Sequence, residues 1–458
     1  MPTILAITKL TLRSILRERV ALSMLALLAG VWILLPAGLE GDGTVEGELR
    51  MLIRYTLGFS TVLLAGMTVW ISCASVAGDL SSKRLQMVLT KPVSRGHVWW
   101  GKWLAVTLLI TGLMIISAVA TLVRVNGLLR EAGLTADEKA HLSETLITSR
   151  KPAAPEEENF LPEAEIRLQR QLESGWQPPP QFSGEELLRR MVQHVRTLRY
   201  SVRGGDEVEW TFPLDTPVRP GERLQLGLRY EGGSMGMDQV RGEWILGTPA
   251  KPDLARYPVD DSPHGGTTLL FNTDGVFTGA DRVTARFRYD APEDRAVFFK
   301  PESGVRIYRP GGSFSFNLLR AVLMLSGLLS VLAALGVGAG SIFSLPVACY
   351  ATSVVLVLQA FSGVLEDLAT RGPDPAAAEE ASLLQNTLDS ARTALYRALR
   401  VALRPLDLDG PLDRVSRGVE VGPGELARIL ALRFTPLVLF FALAGILLFN
   451  RREAGGAV

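Results

Sequence analysis

Six long apolar runs dominate the 458-residue chain and limit what it can become. The first, "ALSMLALLAGVWILLPAGL" from Ala21 to Leu39, is long enough to cross a bilayer at about 1.5 Å per helical residue. Tyr55 to Gly78, Trp103 to Val123, about Leu318 to Gly340, Leu345 to Val364 and about Phe434 to Phe449 repeat the pattern, the last being the shortest. With 47% hydrophobic residues and a formal net charge of +1, the chain could instead be two or three soluble domains. The clustering of its apolar residues argues against that. The first run shares a basic start with secretory signal peptides, but it is long for a signal core. No small-x-small cleavage site is evident after it, so it is read as a span.

Positive charge orients the spans. Lys9, Arg13, Arg17 and Arg19 precede the first; Lys83, Arg84, Lys91, Arg95 and Lys102 lie between the second and third; Arg451 and Arg452 follow the last. An even number of spans puts all three basic segments, and both termini, on the cytoplasmic side of a cell inner membrane. The loop "EGDGTVEGELR" is acidic by comparison, as expected outside. In residues 1–20, Lys9, Arg13 and Arg17 share one helical stripe while Leu5, Leu12, Ile15 and Leu16 fall largely elsewhere, the pattern of a helix lying on the inner membrane surface.

The expected fold is mainly α: a polytopic membrane protein with about six transmembrane helices. A large extracytoplasmic α+β insertion ends in an antiparallel β-sandwich. Residues 21–123 hold the first three spans and a cytoplasmic loop at 79–102. Residues 124–198 read as helical, with helices near Ala136 to Thr148 and Pro162 to Leu172 and linkers "SRKPAAPEEENF" and "WQPPPQ". In "FSGEELLRRMVQHVRTL", Ser183 and Glu186 have capping-box spacing, and Leu188, Met191, Val192 and Val195 share a face. From residue 199 to 315 the period becomes two. "EVEWTF" aligns Val208, Trp210 and Phe212; "RLQLGLRY" aligns Leu224, Leu226, Leu228 and Tyr230; "RVTARFRY" aligns Val283, Ala285, Phe287 and Tyr289. These inward aromatics read as core, with an exposed binding face as the alternative. Residues 316–365 carry the fourth and fifth spans. An outer helical segment occupies 366–432, with a stripe at Leu384, Leu388, Ala391, Leu395 and Leu399, and 433–458 holds the last span and tail.

Gly96-x-x-x-x-Gly101-Lys102 has phosphate-loop spacing. Its interior, His97-Val98-Trp99-Trp100, would obstruct the phosphates, and Trp103 stands where a hydroxyl would hold magnesium. Nucleotide binding by this loop is therefore not expected. The same residues suit a membrane boundary, with Trp99, Trp100 and Trp103 at headgroup level and Lys102 reaching the cytoplasmic phosphates.

"GDLSSKRLQMVLTKPVSRGHVWWGKWLAV" resembles the cytoplasmic segment between the second and third spans of ABC-2-type permeases. Asp79 matches the acidic position, Val88-Leu89 the hydrophobic pair, Lys91-Pro92-Val93-Ser94-Arg95 the turn and Gly101-Lys102 the re-entry. Lys83-Arg84-Leu85 departs from the usual Gly or Arg followed by Thr. The resemblance extends to the N-terminal "ILRERVAL" and the six spans, but not to the β region. It implies a permease with no ATPase of its own. A separate ABC ATPase, binding ATP and magnesium, would dock on Asp79, Leu80, Lys83, Arg84, Leu89, Lys91, Pro92 and Arg95, and a second permease subunit would complete the pathway. The residues agree: Leu80, Leu85, Val88 and Leu89 give a short helix an apolar side for a partner groove, and Pro92 stops it. A solvated loop touching only lipid is the alternative.

Catalysis by this chain is unsupported. His97, His141, His194 and His264 lack ligand spacing, and Cys73 and Cys349 lie inside spans as small buried residues. No cofactor, metal or nucleic-acid partner is implied. "GVGAGSIFSLP" reads as glycines for close helix packing at a tight hairpin, and Glu366-Asp367 as a boundary marker or as a cation or substrate contact. Two rivals to transport stay open: a membrane-anchored binding or assembly protein, and an intramembrane enzyme using Glu366, Asp367 or a span-buried polar group.

Overall fold

The computed structural model describes residues 2–38, 45–82, 93–131, 142, 148–156, 158–176, 184–228, 230–232, 240–261, 269–273, 276–293, 295–299, 304–360 and 409–451. In chain order these form α1 (Pro2–Ile15), α2 (Arg19–Gly38), α3 (Val45–Ser81), α4 (Arg95–Glu131), β1 (Thr148–Ala153), α5 (Leu161–Glu173) and α6 (Gly184–Arg199). Then come β2 (Ser201–Arg203), β3 (Glu207–Pro213), β4 (Leu224–Leu228), β5 (Tyr230–Gly232), β6 (Val240–Thr248), β7 (Lys251–Asp261), β8 (Leu269–Thr273), β9 (Arg282–Tyr289), β10 (Ala296–Phe299) and β11 (Val305–Ser313). The rest is α7 (Phe314–Ile342), α8 (Leu345–Ala360), α9 (Asp409–Ser416), α10 (Pro423–Ile429), a π turn (Leu430–Phe434) and α11 (Thr435–Arg451). Two compact units result, Met1–Ser149 with Gly312–Val458, and Arg150–Gly311.

Among the described residues of the helical unit, four helices are long and apolar enough to cross a membrane: Gly47–Ser81, Arg95–Arg130, Phe314–Ile342 and Pro423–Arg451. The pair α1 and α2, bent by 73°, makes a fifth if counted as one span, and Leu345–Leu358 is a shorter apolar helix. Several helices outrun their apolar stretches. The helix at the second run has 37 residues, as does the one at the third, and the last begins at Pro423, not near Phe434. The expected shortest span thus belongs to a 29-residue helix.

Helix α7 is central: 72% of its apolar window is buried, against 28% for the last helix. Glycines make that possible. A Cβ on Gly340 would stand 2.7 Å from the carbonyl oxygen of Cys73, and one on Gly336 would overlap the Ser72 hydroxyl, so α3 lies directly against the α7 backbone. Gly327 receives Phe434 and Leu430 in the same way. The hairpin between α7 and α8 is short, broken at Phe343 and Ser344.

The last helix carries its own irregularity. Pro436 has no N–H for the carbonyl four residues back, and its ring crowds that carbonyl. The preceding turn widens to π form, and both the backbone N–H and the hydroxyl of Thr435 close on the Leu430 carbonyl, the latter at 2.8 Å.

The described residues of the second unit form three sheets, with strand orders β1-β11-β4-β8, β2-β10-β5 and β3-β9-β6-β7. Pairings such as Trp210 with Ala285 and Trp244 with Phe287 are antiparallel. The alternation expected in β3 and β9 holds: Trp210, Phe212, Val283, Ala285, Phe287 and Tyr289 are buried in one core with residues of the other two sheets. Trp244 sits at its middle, 4.8 Å from the Phe287 ring and 5.7 Å from Trp210 and Phe299, so these aromatics are core.

Two strand readings change. Every residue of β4 is buried, including Gln225 and Gly227, so β4 is covered on both faces and does not alternate. Residues 149–153, expected to start a linker, form β1 together with Thr148, and Arg150 holds the strand: its guanidinium donates to Gln225 Oε1 at 3.0 Å and lies 4.9 Å over the Tyr308 ring. The helix expected near Pro162 to Leu172 appears as α5, and "EELLRRMVQHVRTL" lies within α6. The Ser183 cap, nearly all of the helix at Ala136 to Thr148, and the stripe from Leu384 to Leu399 lie outside the described residues.

Candidate functional site

The segment expected to meet an ATPase is described only at its two ends. Lys83, Arg84, Leu85, Val88, Leu89, Lys91 and Pro92 lie outside the described residues; Asp79, Leu80, Arg95 and the tryptophans lie inside. At these ends α3 finishes and α4 begins, and the sequence between them must return within the distance those helix ends set.

An ion pair fixes that distance. Lys102 Nζ donates to the Asp79 carboxylate and to the Ser75 carbonyl, joining the last turns of α3 to the second turn of α4. The lysine side chain is 4% exposed and the aspartate 37%, so the pair reaches water only through Asp79. Lys102 was expected to reach lipid phosphates; instead it is turned inward. A buried ammonium needs a near partner, and Asp79 and the α3 carbonyl end supply one.

Arg95 makes a second tie. Its guanidinium donates to the Phe449 carbonyl and, at 3.1 Å, to that of Asn450, while lying 5.3 Å from the Phe449 ring centroid. A cation here also complements the carbonyl end of α11. Ser94 caps α4: the His97 N–H donates to its Oγ at 3.3 Å. Leu80 packs with the core residues Val98 and Phe449, so the end of α3 also touches this junction.

The tryptophans differ from the boundary reading. Trp99 is 1% exposed, packed with Val76, Val331 and Ala442. Its indole nitrogen lies where a Cβ on Gly445 would be only 2.8 Å away. Trp100 and Trp103 are half-buried, and the three rings stack edge-to-face and in parallel, with centroids 5.1 to 6.5 Å apart. Trp103 donates its indole N–H to the Ser330 carbonyl at 2.9 Å. These rings pack helix on helix. Period and composition cannot separate that role from a headgroup belt, since both want a large ring with one polar edge.

Gly101 has a use the sequence did not reveal. A Cβ there would stand 2.7 Å from the Ile7 side chain, and Thr8 donates its hydroxyl to the Gly101 carbonyl at 3.1 Å. The glycine of the Gly-Lys pair thus seats α1 on α4, and the lysine beside it seats α3.

The β unit holds a cleft of about 660 Å³ lined by Lys151, Pro155, Asp215, Arg219, Glu222 and Arg309, among others. At its base Arg309 binds Glu222 through two bonds of 2.8 Å, and Arg309 also donates to Thr216. That contact holds the Glu222 carboxyl below its ordinary value, against the opposing effect of burial, and raises Arg309. Lys151 likewise lowers Asp215 at the exposed rim. Neither pair has a periodicity in the sequence that would have found it.

Among the described residues, no three His, Cys, Asp or Glu side chains are grouped to hold a metal ion. Cys73 Sγ lies 3.6 Å from Thr352 Oγ1. Glu366 and Asp367 lie outside the described residues. No protein-family model, curated protein or solved structure matches the chain.

Proposed function

We propose that this chain is the membrane-spanning permease subunit of an ABC-2-type transporter, working as an exporter and driven by a separate ABC ATPase. The observation that carries the reading is the double tie at the ends of residues 79–95. Lys102 joins α4 to α3 through Asp79, and Arg95 joins α4 to the end of α11. A partner pressing on this segment acts on three helices at once, because none of the three can yield separately without breaking a buried or half-buried charge contact. In this reading both termini are cytoplasmic, ATP and magnesium belong to the partner, and a second permease subunit, identical or related, completes the pathway.

Purification in mild detergent tests it. An ABC ATPase is expected to co-purify with the wild-type chain, and Lys91→Glu with Pro92→Gly is expected to abolish that association while the chain stays folded. Absence of any ATPase from the wild-type preparation would remove the reading.

The cleft of the β unit favours a second reading, a membrane-anchored binding or assembly protein without transport. It predicts that the Lys91 and Pro92 changes leave function intact while Arg219→Glu, on the cleft wall, abolishes it.

A further inference from the structure

The helical unit has a cavity of about 350 Å³ beside the π turn, at the opposite end of the last helix from Arg451. Its walls divide by chemistry. Met324, Ile429, Leu432 and Phe434 are apolar, while Arg414, Arg428 and Arg433 are cationic against one carboxylate, Glu425. Arg414 is paired with Glu425 at 2.7 Å. Arg428 and Arg433 are exposed and hold no ion pair among the described residues.

The floor is firm. Asn317, 1% exposed, donates to the Val419 carbonyl and accepts from the Val421 N–H, both at 2.8 Å, and Arg320 binds Glu420 at 2.7 Å. These contacts tie the chain ahead of α10 to α7. The π turn seats Phe434 against Gly327, which leaves Leu432 and Arg433 facing outward.

The outward face continues as an apolar stripe. Leu432, in the turn, is 70% exposed; beyond the turn Leu439 (47%), Leu443 (63%) and Leu447 (61%) recur at four-residue steps, with Phe440 (63%) beside them. A cationic cavity at the head of an uncovered apolar stripe matches a molecule with a negative head and a hydrocarbon tail. Guanidinium is the side chain best suited to phosphate, which it binds through paired N–H groups.

We propose that this cavity binds the phosphate of an anionic membrane phospholipid, held by Arg428 and Arg433, with an acyl chain along Leu432, Leu439 and Leu443. The proposal rests on the last helix spanning a membrane, not on the chain being a transporter. Its failure would leave ATPase association untouched.

The test uses the full-length chain in mild detergent, with phosphatidylglycerol, phosphatidylcholine or inorganic phosphate added, and reads thermal unfolding and lipid retained in native mass spectrometry. Phosphatidylglycerol is expected to raise the melting temperature and to be retained, phosphatidylcholine to do so far less. Arg428→Gln with Arg433→Gln should weaken the effect about tenfold or more through loss of two charge-assisted contacts. Arg451→Gln should keep it. If the double variant melts abnormally without lipid, Leu432→Glu, at an exposed position, places a carboxylate at the cavity and should abolish protection. Three results overturn the proposal: equal protection by phosphatidylcholine, equal protection by inorganic phosphate alone, which would make the ligand a soluble anion, or protection that survives in the arginine and Leu432 variants.

Discussion

At the scale of single residues, burial makes the Asp79 and Lys102 pair asymmetric. Asp79→Asn leaves a 4%-exposed ammonium facing a neutral amide, whereas Lys102→Met leaves a carboxylate that is 37% exposed and hydrated. Asp79→Asn is therefore expected to cost more, about 3 kcal/mol, with Lys102→Met near 1 and the double variant no worse than Asp79→Asn. Thermal melts in detergent check the order. In the β unit the sign of the pH dependence follows from Arg309. The folded-state carboxyl of Glu222 lies below its ordinary 4.5, so its stabilisation is full above that value and is lost as pH falls through the lowered folded value. Melts of the full chain from pH 6 to pH 3 should fall less steeply for Glu222→Gln than for wild type. Neither pair could be read from the sequence, because Asp79 and Lys102 stand 23 positions apart and Glu222 and Arg309 stand 87 apart. What the sequence showed at this scale was residue type: three tryptophans and a lysine near a helix start. Whether they faced lipid or protein was decided by the neighbours, Gly445 and Ser75.

At the scale of elements, the apolar runs located the long helices, and the period of two located β3 and β9, because both patterns follow directly from which face is buried. β1 was hidden. "TSRKPA" has two cations and a proline but no alternation, and it becomes a strand because Arg150 finds Gln225 and Tyr308 across the sheet. The helix ends were hidden too, since polar turns such as that around Arg50 and Arg54 extend α3 without adding hydrophobicity. The α7 glycines can be ranked by what stands opposite. A Cβ on Gly340 meets the Cys73 backbone at 2.7 Å, whereas one on Gly338 meets nothing nearer than 3.5 Å. Gly340→Ala is expected to destabilise by about 1–3 kcal/mol, and Gly338→Ala to be neutral or slightly stabilising through helix propensity. Detergent melts of the two variants measure the difference.

At the scale of the whole molecule, the sidedness expected from the charge distribution can be tested directly. In cells or spheroplasts expressing the chain, a membrane-impermeant thiol reagent is expected to label Ser174→Cys, which is exposed in the β unit, and not Ser94→Cys at the start of α4. Labelling of Ser94→Cys alone would invert the orientation. Cys73 is buried and Cys349 half-buried, so both variants carry Cys349→Ser to keep the background low. The last helix adds an angular consequence. An α-helix turns about 100° per residue, and a π turn accommodates roughly one residue more than α geometry allows. The two ends of Pro423–Arg451 are therefore out of phase by about that angle. Deleting one residue from 430–434 would remove the extra residue of that turn, leave Arg95 its hold on Phe449, and swing Arg428 about a quarter turn around the axis, with Pro436 still interrupting the hydrogen bonds. The length of the chain there sets the bearing of one end of that helix relative to the other.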